Sequence, residues 1–283
     1  MGVHKWPDQD KGLDKFYPTN TLVTGPDIIF FWVARMIISG YEFMDEYPFK
    51  NVYFTSILRD DTGQKLSKSL GNSPDPFDLF DEYGTDAVRF GVMLMAPQGL
   101  DVLFSKERLE IGRNFMNKIW NASRFIQMNI PVKANLKFEI DYEKLELPER
   151  WILSRLTKMV EDYNDHLDRF RFNEAAKSLY DFTWNDFCDW YIEISKIRFS
   201  SGNDNDINIA RSVALECLRS ILILLHPFSP FISEELWSFF KEEDSSDLIV
   251  FQWKKTGALR DISAESKMNI LKNIISDIRS ERS

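Results

Sequence analysis

Apolar positions along this chain change their rhythm near residue 105. Before it they come in short blocks between polar turns, and after it they recur every three or four residues over long segments. Residues 28–38 are apolar nearly all round, broken only by Arg35, which predicts a helix buried inside a domain. Its start chemistry is Thr24-Gly25-Pro26-Asp27, with Thr24 as a candidate cap and Pro26 in the first turn, and Gly40 is its expected stop. Residues 51–58 carry β-branched and aromatic side chains and run into Asp60-Asp61-Thr62-Gly63, the pattern of a strand ending in a turn. A polar loop over residues 64–73 then leads to Asp75, a helix cap, and Pro76 as the first helical residue. Helix, strand, loop and helix in that order predict part of an α/β sheet domain. Residues 1–20 show no period and read as an irregular connection.

Beyond residue 105, periodic stretches predict helices over about 107–130, 149–168, 172–199 and 206–226, with a shorter one at 230–241. In the third, Ala175, Leu179, Phe182, Asp186 and Trp190 share one mostly apolar face. A helix bundle is the expected product, with Pro131, Pro148, Gly202 and Pro227 in its connections. Residues 256–283 are helical in pattern without an evident partner. The fold class read here is an α/β segment over residues 1–105, an all-α bundle over 106–255, and the start of a C-terminal helical or coiled-coil region over 256–283.

Composition fits a soluble globular protein of about two domains: 283 residues, 44% hydrophobic and 28% charged. The longest apolar stretch falls well short of the roughly 18 residues that a membrane span needs. The first residues lack the apolar core of a secretory signal. Cys188 and Cys217 are the only cysteines, and His4, His166 and His226 are not at ligand-like spacing from them, so a reduced cytosolic protein without bound metal is expected. The cysteines read as small buried residues and His226 as a helix-end residue. A formal net charge of −9 argues against binding nucleic acid by bulk electrostatics, and any RNA contact must be local.

The chemistry concentrates in Lys65-Leu66-Ser67-Lys68-Ser69, followed by Leu70-Gly71-Asn72. Two lysines and two hydroxyls lie between strand and helix with no acid from Lys65 to Ser73. From the residues alone, this is either a solvated polar loop or a loop that offers ammonium groups, hydroxyls and backbone N–H groups to a polyanion such as a triphosphate. Mobile lysines would follow charge building on a leaving pyrophosphate.

Lys65–Ser69 resembles the Lys-Met-Ser-Lys-Ser motif of class I aminoacyl-tRNA synthetases, with Leu for Met as a volume-conserving change. The flanks are similar to the valyl branch of that family: the string from Asp27 to Met36, Tyr83-Gly84-Thr85-Asp86-Ala87-Val88-Arg89-Phe90, Arg113-Asn114-Phe115 with Asn117 to Ala122, Asp181 to Trp184 with Phe187 to Tyr191, and His226 to Trp237. The resemblance covers residues 16–283 in order. It implies the second half of a Rossmann-type catalytic domain, completed by Lys65–Ser69, joined to a helical anticodon-binding domain. It further implies valine, ATP with Mg2+, and tRNA(Val) as substrates, no protein-bound metal, a cytoplasmic monomer and no membrane partner.

By the same resemblance Lys65 and Lys68 are catalytic and, with Ser67, Ser69 and Asp27, bind ATP, while Trp32 lines the valine pocket. Read locally, Trp32 is a core residue and Asp27 a first-turn acid favoured by the helix dipole. Ser56 stands where the family pattern leads one to expect glycine. None of the three histidines belongs to a His-Ile-Gly-His sequence, the family's other ATP motif, and the editing insertion is missing, so the chain is expected to be a piece of a longer parent. Isoleucine specificity in the parent, and a piece that acts only by binding an anticodon stem-loop, are the alternatives.

In the helix near residues 112–129, Phe115, Ile119, Ala122 and Ile126 form one face, and Arg113, Asn117 and Arg124 lie on another. That second face is either solvated or the one that meets RNA, and anticodon recognition in the family implies RNA contact by Arg113 and Arg124. Trp184, Phe187, Trp190 and Tyr191 form a stripe whose spacing suits core packing and whose chemistry suits base stacking.

Overall fold

Alternation of β-branched residues in Thr19-Asn20-Thr21-Leu22-Val23-Thr24 makes a strand, and the computed structural model places it there. Residues 11–97, 99–130, 140–242, 245–253 and 260–282 are described, so residues 1–10, Pro131 and the first residues of the 256–283 segment lie outside. The chain packs as two units, residues 1–72 with 96–104, and residues 73–95 with 105–283. The two helices that follow the lysine-rich loop therefore pack with the helical part of the chain.

In the first unit, α1 (Lys11–Phe16) and β1 (Thr19–Thr24) occupy the segment expected to be irregular. A short turn of 3-10 helix (Pro26–Ile28) and a wide π segment (Ile29–Val33) lead into α2 (Ala34–Met44). The chain returns as β2 (Phe49–Phe54), which pairs parallel with β1 from Thr19↔Phe49 to Thr24↔Phe54. This is the βα-crossover logic of an α/β sheet. The expected strand over 51–58 is split: β3 (Leu58–Arg59) pairs parallel not with β1 but with β4 (Val102–Leu103). Between the two pairings, Ser56 Oγ donates to Pro97 O at 2.7 Å, so the hydroxyl standing in place of glycine is satisfied.

Two expectations for the apolar helix are corrected. Gly40 does not stop it but lies buried within α2, where a Cβ would meet Pro48 Cδ at 2.8 Å and Glu46 O and Tyr17 Oη at 2.9 Å. The helix ends instead at Asp45 in the left-handed region, φ 54°. Nor is it buried: Phe30 is 82% exposed, Trp32 57% and Ile38 68%, while Val33 and Gly40 are covered. A helix apolar all round needs neighbours on several sides, and this unit supplies them on one.

In the second unit, Asp75 caps α3 (Pro76–Tyr83) as expected, its carboxylate accepting from Phe77 N at 2.8 Å. Gly84, φ 91°, separates it from α4 (Thr85–Met95). The predicted helices follow within a few residues: α5 (Lys106–Asn129), α6 (Leu147–Asp168), α7 (Phe172–Asp181) continuing through a ten-residue π segment (Phe182–Tyr191) into α8 (Ile192–Phe199), α9 (Asp204–Leu225) and α10 (Pro230–Phe240). Phe115, Ile119, Ala122 and Ile126 of α5 are buried, with Phe115 stacked on Phe90 of α4 at 4.7 Å. Residues without an evident partner in the sequence form α11 (Ile262–Arg282), which packs on α6. Ala264 and Met268 are covered there, Arg150 pairs with Asp261 at 2.5 Å, and Ser154 donates to Glu265.

Helix α4 holds both ends of the α9–α10 turn. Asp86 Oδ2 accepts from Ile232 N at 2.6 Å, the first turn of α10, while Arg89 donates to Phe228 O at 3.0 Å and Pro227 O at 3.3 Å just past the end of α9. An acid thus meets a helix N-terminus and a cation a helix C-terminus, each favoured by the backbone partial charges. Helices α4 and α5 can supply this frame because two glycines let them touch. A Cβ on Gly112 would lie 2.2 Å from Ala87 O, and one on Gly91 2.9 Å from Arg108 O. Gly112→Ala should therefore destabilise the second unit by more than ~2 kcal/mol, because backbone on both helices must separate. Gly25→Ala, with open space around its Cβ, should change thermal unfolding far less. Equal unfolding temperatures for the two variants would show that the crossing is not close.

Candidate functional site

The lysine-rich loop is built on Asp60. Its Oδ1 accepts from Thr62 Oγ1 at 2.7 Å, Gln64 N at 2.8 Å and Thr62 N at 3.1 Å, and its Oδ2 accepts from Asn72 Nδ2 at 2.7 Å. These donors, the Thr62 hydroxyl first, hold its carboxyl below the usual aspartate range. Asn72 closes the loop from the other end, its Oδ1 accepting from Ser67 N at 2.9 Å. Gly71 reverses the chain at φ 70°, which glycine adopts without strain. Arg59 pairs with Asp101 at 2.5 Å and donates to Gly63 O at 3.1 Å, fixing the strand beneath. Asp60, Asn72 and Arg59 were legible only as turn and strand residues. The signal for Asp60 was present in Asp-x-Thr-x-Gln, an Asx-turn pattern.

On this frame Lys65 Nζ lies 2.7 Å from Asp27 Oδ2, so two of the expected ATP-binding residues, 38 positions apart, meet. Lys65 draws the Asp27 carboxyl below its ordinary range, and Arg59 adds to this. Ser67 and Ser69 share a hydroxyl–hydroxyl hydrogen bond of 2.8 Å. Lys68 opens a turn of 3-10 helix, is exposed, and makes no ion pair among the described residues. Trp32, locally expected in the core, is largely exposed on the π segment.

On α5, Arg113 lays its guanidinium over the Tyr83 ring at 5.5 Å, with Glu110 3.8 Å away. Arg124 and Asn117 are exposed. Of the aromatic stripe, Phe187 and Tyr191 are core. Trp184 stacks on Tyr180 at 5.6 Å beneath Lys118, and half-buried Trp190 lies beneath Lys272 and Arg279. Cys188 and Cys217 are buried free thiols, the first pushed by burial up to about 12 and the second well above its ordinary value, and so unreactive. His226 ends α9 with Nδ1 2.9 Å from Ser233 Oγ. Among the described residues, no three His, Cys, Asp or Glu side chains group as metal ligands, and no helix is long and apolar enough to cross a membrane.

Comparison with known proteins divides the chain at residue 105, where the sequence pattern changes, and so keeps residues 73–95 with the first part. A family model described as "tRNA synthetases class I (I, L, M and V)" matches residues 1–105, and one described as "Anticodon-binding domain of tRNA ligase" matches residues 149–283. Valine--tRNA ligase of Fusobacterium nucleatum subsp. nucleatum is 48% identical over 98% of the chain, and that of Thermotoga maritima 43% over 98%. The chain spans 32% and 31% of these relatives. A methionyl-tRNA synthetase of Mycobacterium tuberculosis in complex with methionyl-adenylate superposes over 91% of the chain and 53% of its own, with a TM-score of 0.71 at 21% identity. A LeuRS–tRNA–LeuAMS ternary complex from Agrobacterium radiobacter K84 does so over 87% and 30%, with a TM-score of 0.66 at 21% identity. These two share the fold.

The Asp27–Lys65 contact has a titration signature. Because the folded carboxyl is depressed, the pair is intact above the ordinary aspartate range and is lost as pH falls through the lowered value. The Asp27 carboxyl carbon, followed by NMR, should titrate below ordinary aspartates and move up in Lys65→Ala. An unmoved titration would mean that the two side chains do not meet in solution.

Proposed function

Since this chain belongs to the class I tRNA synthetases, on their valine--tRNA ligase branch, we propose that it supplies the phosphate loop and the anticodon-binding bundle of an enzyme that joins valine to tRNA(Val). In the first step the valine carboxylate attacks the α-phosphorus of ATP, and pyrophosphate leaves. In the second, the tRNA terminal ribose hydroxyl displaces AMP from the valyl-adenylate. Lys65 and Lys68 meet the phosphates of ATP, accompanied by Mg2+, and Ser67 and Ser69 with the loop N–H groups complete the cradle. Asp27 lies near the adenylate and Trp32 lines the valine pocket. The protein works in the cytoplasm, as a monomer.

The observation that carries this reading is the loop's construction. Asp60 and Asn72 hold its two ends by four hydrogen bonds to Gln64 N, Thr62 N, Ser67 N and each other, while the ammonium of Lys68 stays exposed. A fixed backbone with a movable cation suits charge that develops during reaction. Asp27 gives Lys65 a preset position that triphosphate can share. Valine, rather than isoleucine, is supported by the names of the curated relatives.

Restored to a full-length parent, Lys68→Ala should slow valyl-adenylate formation roughly 10²–10³-fold, on the order of 3–4 kcal/mol, and change valine binding much less. ATP–pyrophosphate exchange measures this, and an undiminished rate in a folded variant removes the loop from the mechanism. Residues 1–283 alone, containing no His-Ile-Gly-His, should show no exchange, because misplacing the triphosphate by about 1 Å already costs ~10²-fold. Robust exchange by the purified chain would overturn the assignment of shared phosphate binding.

A further inference from the structure

Lys68 sits on a small flap, residues 67–71, that is shaped from within. Leu70 N donates to Ser67 O and Gly71 N to Lys68 O, each at 3.2 Å, and the Ser67 and Ser69 hydroxyls bond to one another. Leu70 is 62% exposed, so apolar burial does not hold the tip.

Asn72 closes the base of this flap. Its Oδ1 accepts from Ser67 N at 2.9 Å, while its Nδ2 donates to Asp60 Oδ2 at 2.7 Å and to Lys65 O at 3.3 Å. Leu66 N, between the two peptide groups that Asn72 grips, donates to Leu58 O at 3.1 Å, which ties this foot of the flap to β3. An amide can sit either way round, and only one way serves here. Turned over, its oxygen would face a carboxylate that only accepts, and its NH2 would face the Ser67 N–H, donor against donor. Asp60 therefore sets the orientation of Asn72, and Thr62 and Gln64 hold Asp60 through its other oxygen.

A brace of this kind suits a cation that meets charge as it develops. The Lys68 ammonium is exposed, but the backbone it hangs from has a set place. That place matters, since misplacing a reacting group by about 1 Å already costs ~10²-fold. Resting on the reading of Lys65–Ser69 as the phosphate loop, we propose that Asn72, oriented by Asp60, is a positioning residue for adenylate formation, setting the base of the flap from which Lys68 meets the leaving pyrophosphate. Asn72 acts through Lys68 rather than by touching ATP.

ATP–pyrophosphate exchange in the full-length parent tests this as a double-mutant cycle. Asn72→Ala should lower kcat roughly 10–100-fold and move the KM for ATP much less, because both lysines can still meet the ground-state phosphates. In a Lys68→Ala background the same change should cost less than about threefold, the group it positions being already gone. Asp60→Asn sets donor against donor and Asn72→Asp sets carboxylate against carboxylate, so each should slow exchange about as much as Asn72→Ala. The double swap, Asp60→Asn with Asn72→Asp, restores a donor and an acceptor across the 2.7 Å contact and keeps the acceptor for Ser67 N. It should recover most of the rate, with the 3.3 Å bond to Lys65 O left unmade. Amide hydrogen exchange on residues 1–283 reads the same brace without activity: Ser67 N–H should exchange faster in Asn72→Ala and Asp60→Asn, and return toward the wild-type rate in the swap. Equal losses from Asn72→Ala with and without Lys68, or a swap no faster than the single variants, overturns the positioning role while the phosphate loop stands. An undiminished rate in Lys68→Ala itself overturns both.

Discussion

Helices α4 and α5 cross with no room for a methyl group at Gly112, whose Cβ would sit 2.2 Å from Ala87 O. The organisation of the helical unit follows from that contact. With the axes so close, Phe90 and Phe115 stack across the crossing, and Phe90 also meets Phe228 edge-on at the α9–α10 turn. The same helix then turns Asp86 and Arg89, three residues apart and so on one face, to opposite ends of that turn. Burial pushes the Asp86 carboxyl above its ordinary range against the pull of the Ile232 and Phe231 N–H groups. The acid is held there by hydrogen bonds that a hydrophobic residue would leave unmade.

What the sequence reveals depends on whether a contact is local. Long helices packed on one side write their period into the chain, and α5, α6, α9 and α10 were readable to within a few residues. Glycine is different: the same residue type serves as a stop or as a point of close approach, and only the partner, Pro48 for Gly40 or Ala87 for Gly112, decides which. Residues 28–38 show the converse, since composition states that a helix wants covering but not whether the chain in hand covers it. In the candidate site, Lys65-Leu66-Ser67-Lys68-Ser69 was visible as a pattern. Its supports were not, because Asp60, Asn72 and Arg59 act over distances in space that read locally as ordinary turn chemistry.

Helix α11 was unplaced in the sequence for a related reason. Its inner face covers little apolar surface beyond Ala264 and Met268, and charges do much of the registering. Asp261 and Glu265 meet Arg150 and Arg155 on α6, and farther along Lys272 meets Asp186 at 3.2 Å while lying over the rings of Trp151 and Trp190. The π segment matters here, since it carries both Asp186 and Trp190. Asp186 accepts from Arg155 and Lys272 together, so its negative charge is shared rather than buried alone. The apolar period of this helix is legible in the chain, but Leu271, Ile274 and Ile278 remain exposed, and a stripe of charges rather than that period sets its partner and register.

The same pairing logic bears on how an acidic chain meets a polyanion. Many of its cations are already neutralised: Arg198 by Glu146, Glu149 and Asp206, Arg155 by Asp186 and Glu265, Lys118 by Asp189. A cation so held contributes little field beyond its partner. Attraction for phosphate must then come from the few that keep their charge available, which is why net charge says little about where RNA or nucleotide binds. The proposed phosphate loop combines one anchored and one exposed cation. Lys65 is tethered to Asp27, while Lys68 stands exposed and outside any ion pair among the described residues. The anchored member loses little freedom on meeting its ligand, and the free member can follow charge as it develops. Replacing either type by the other would keep the net charge and change what the site can do.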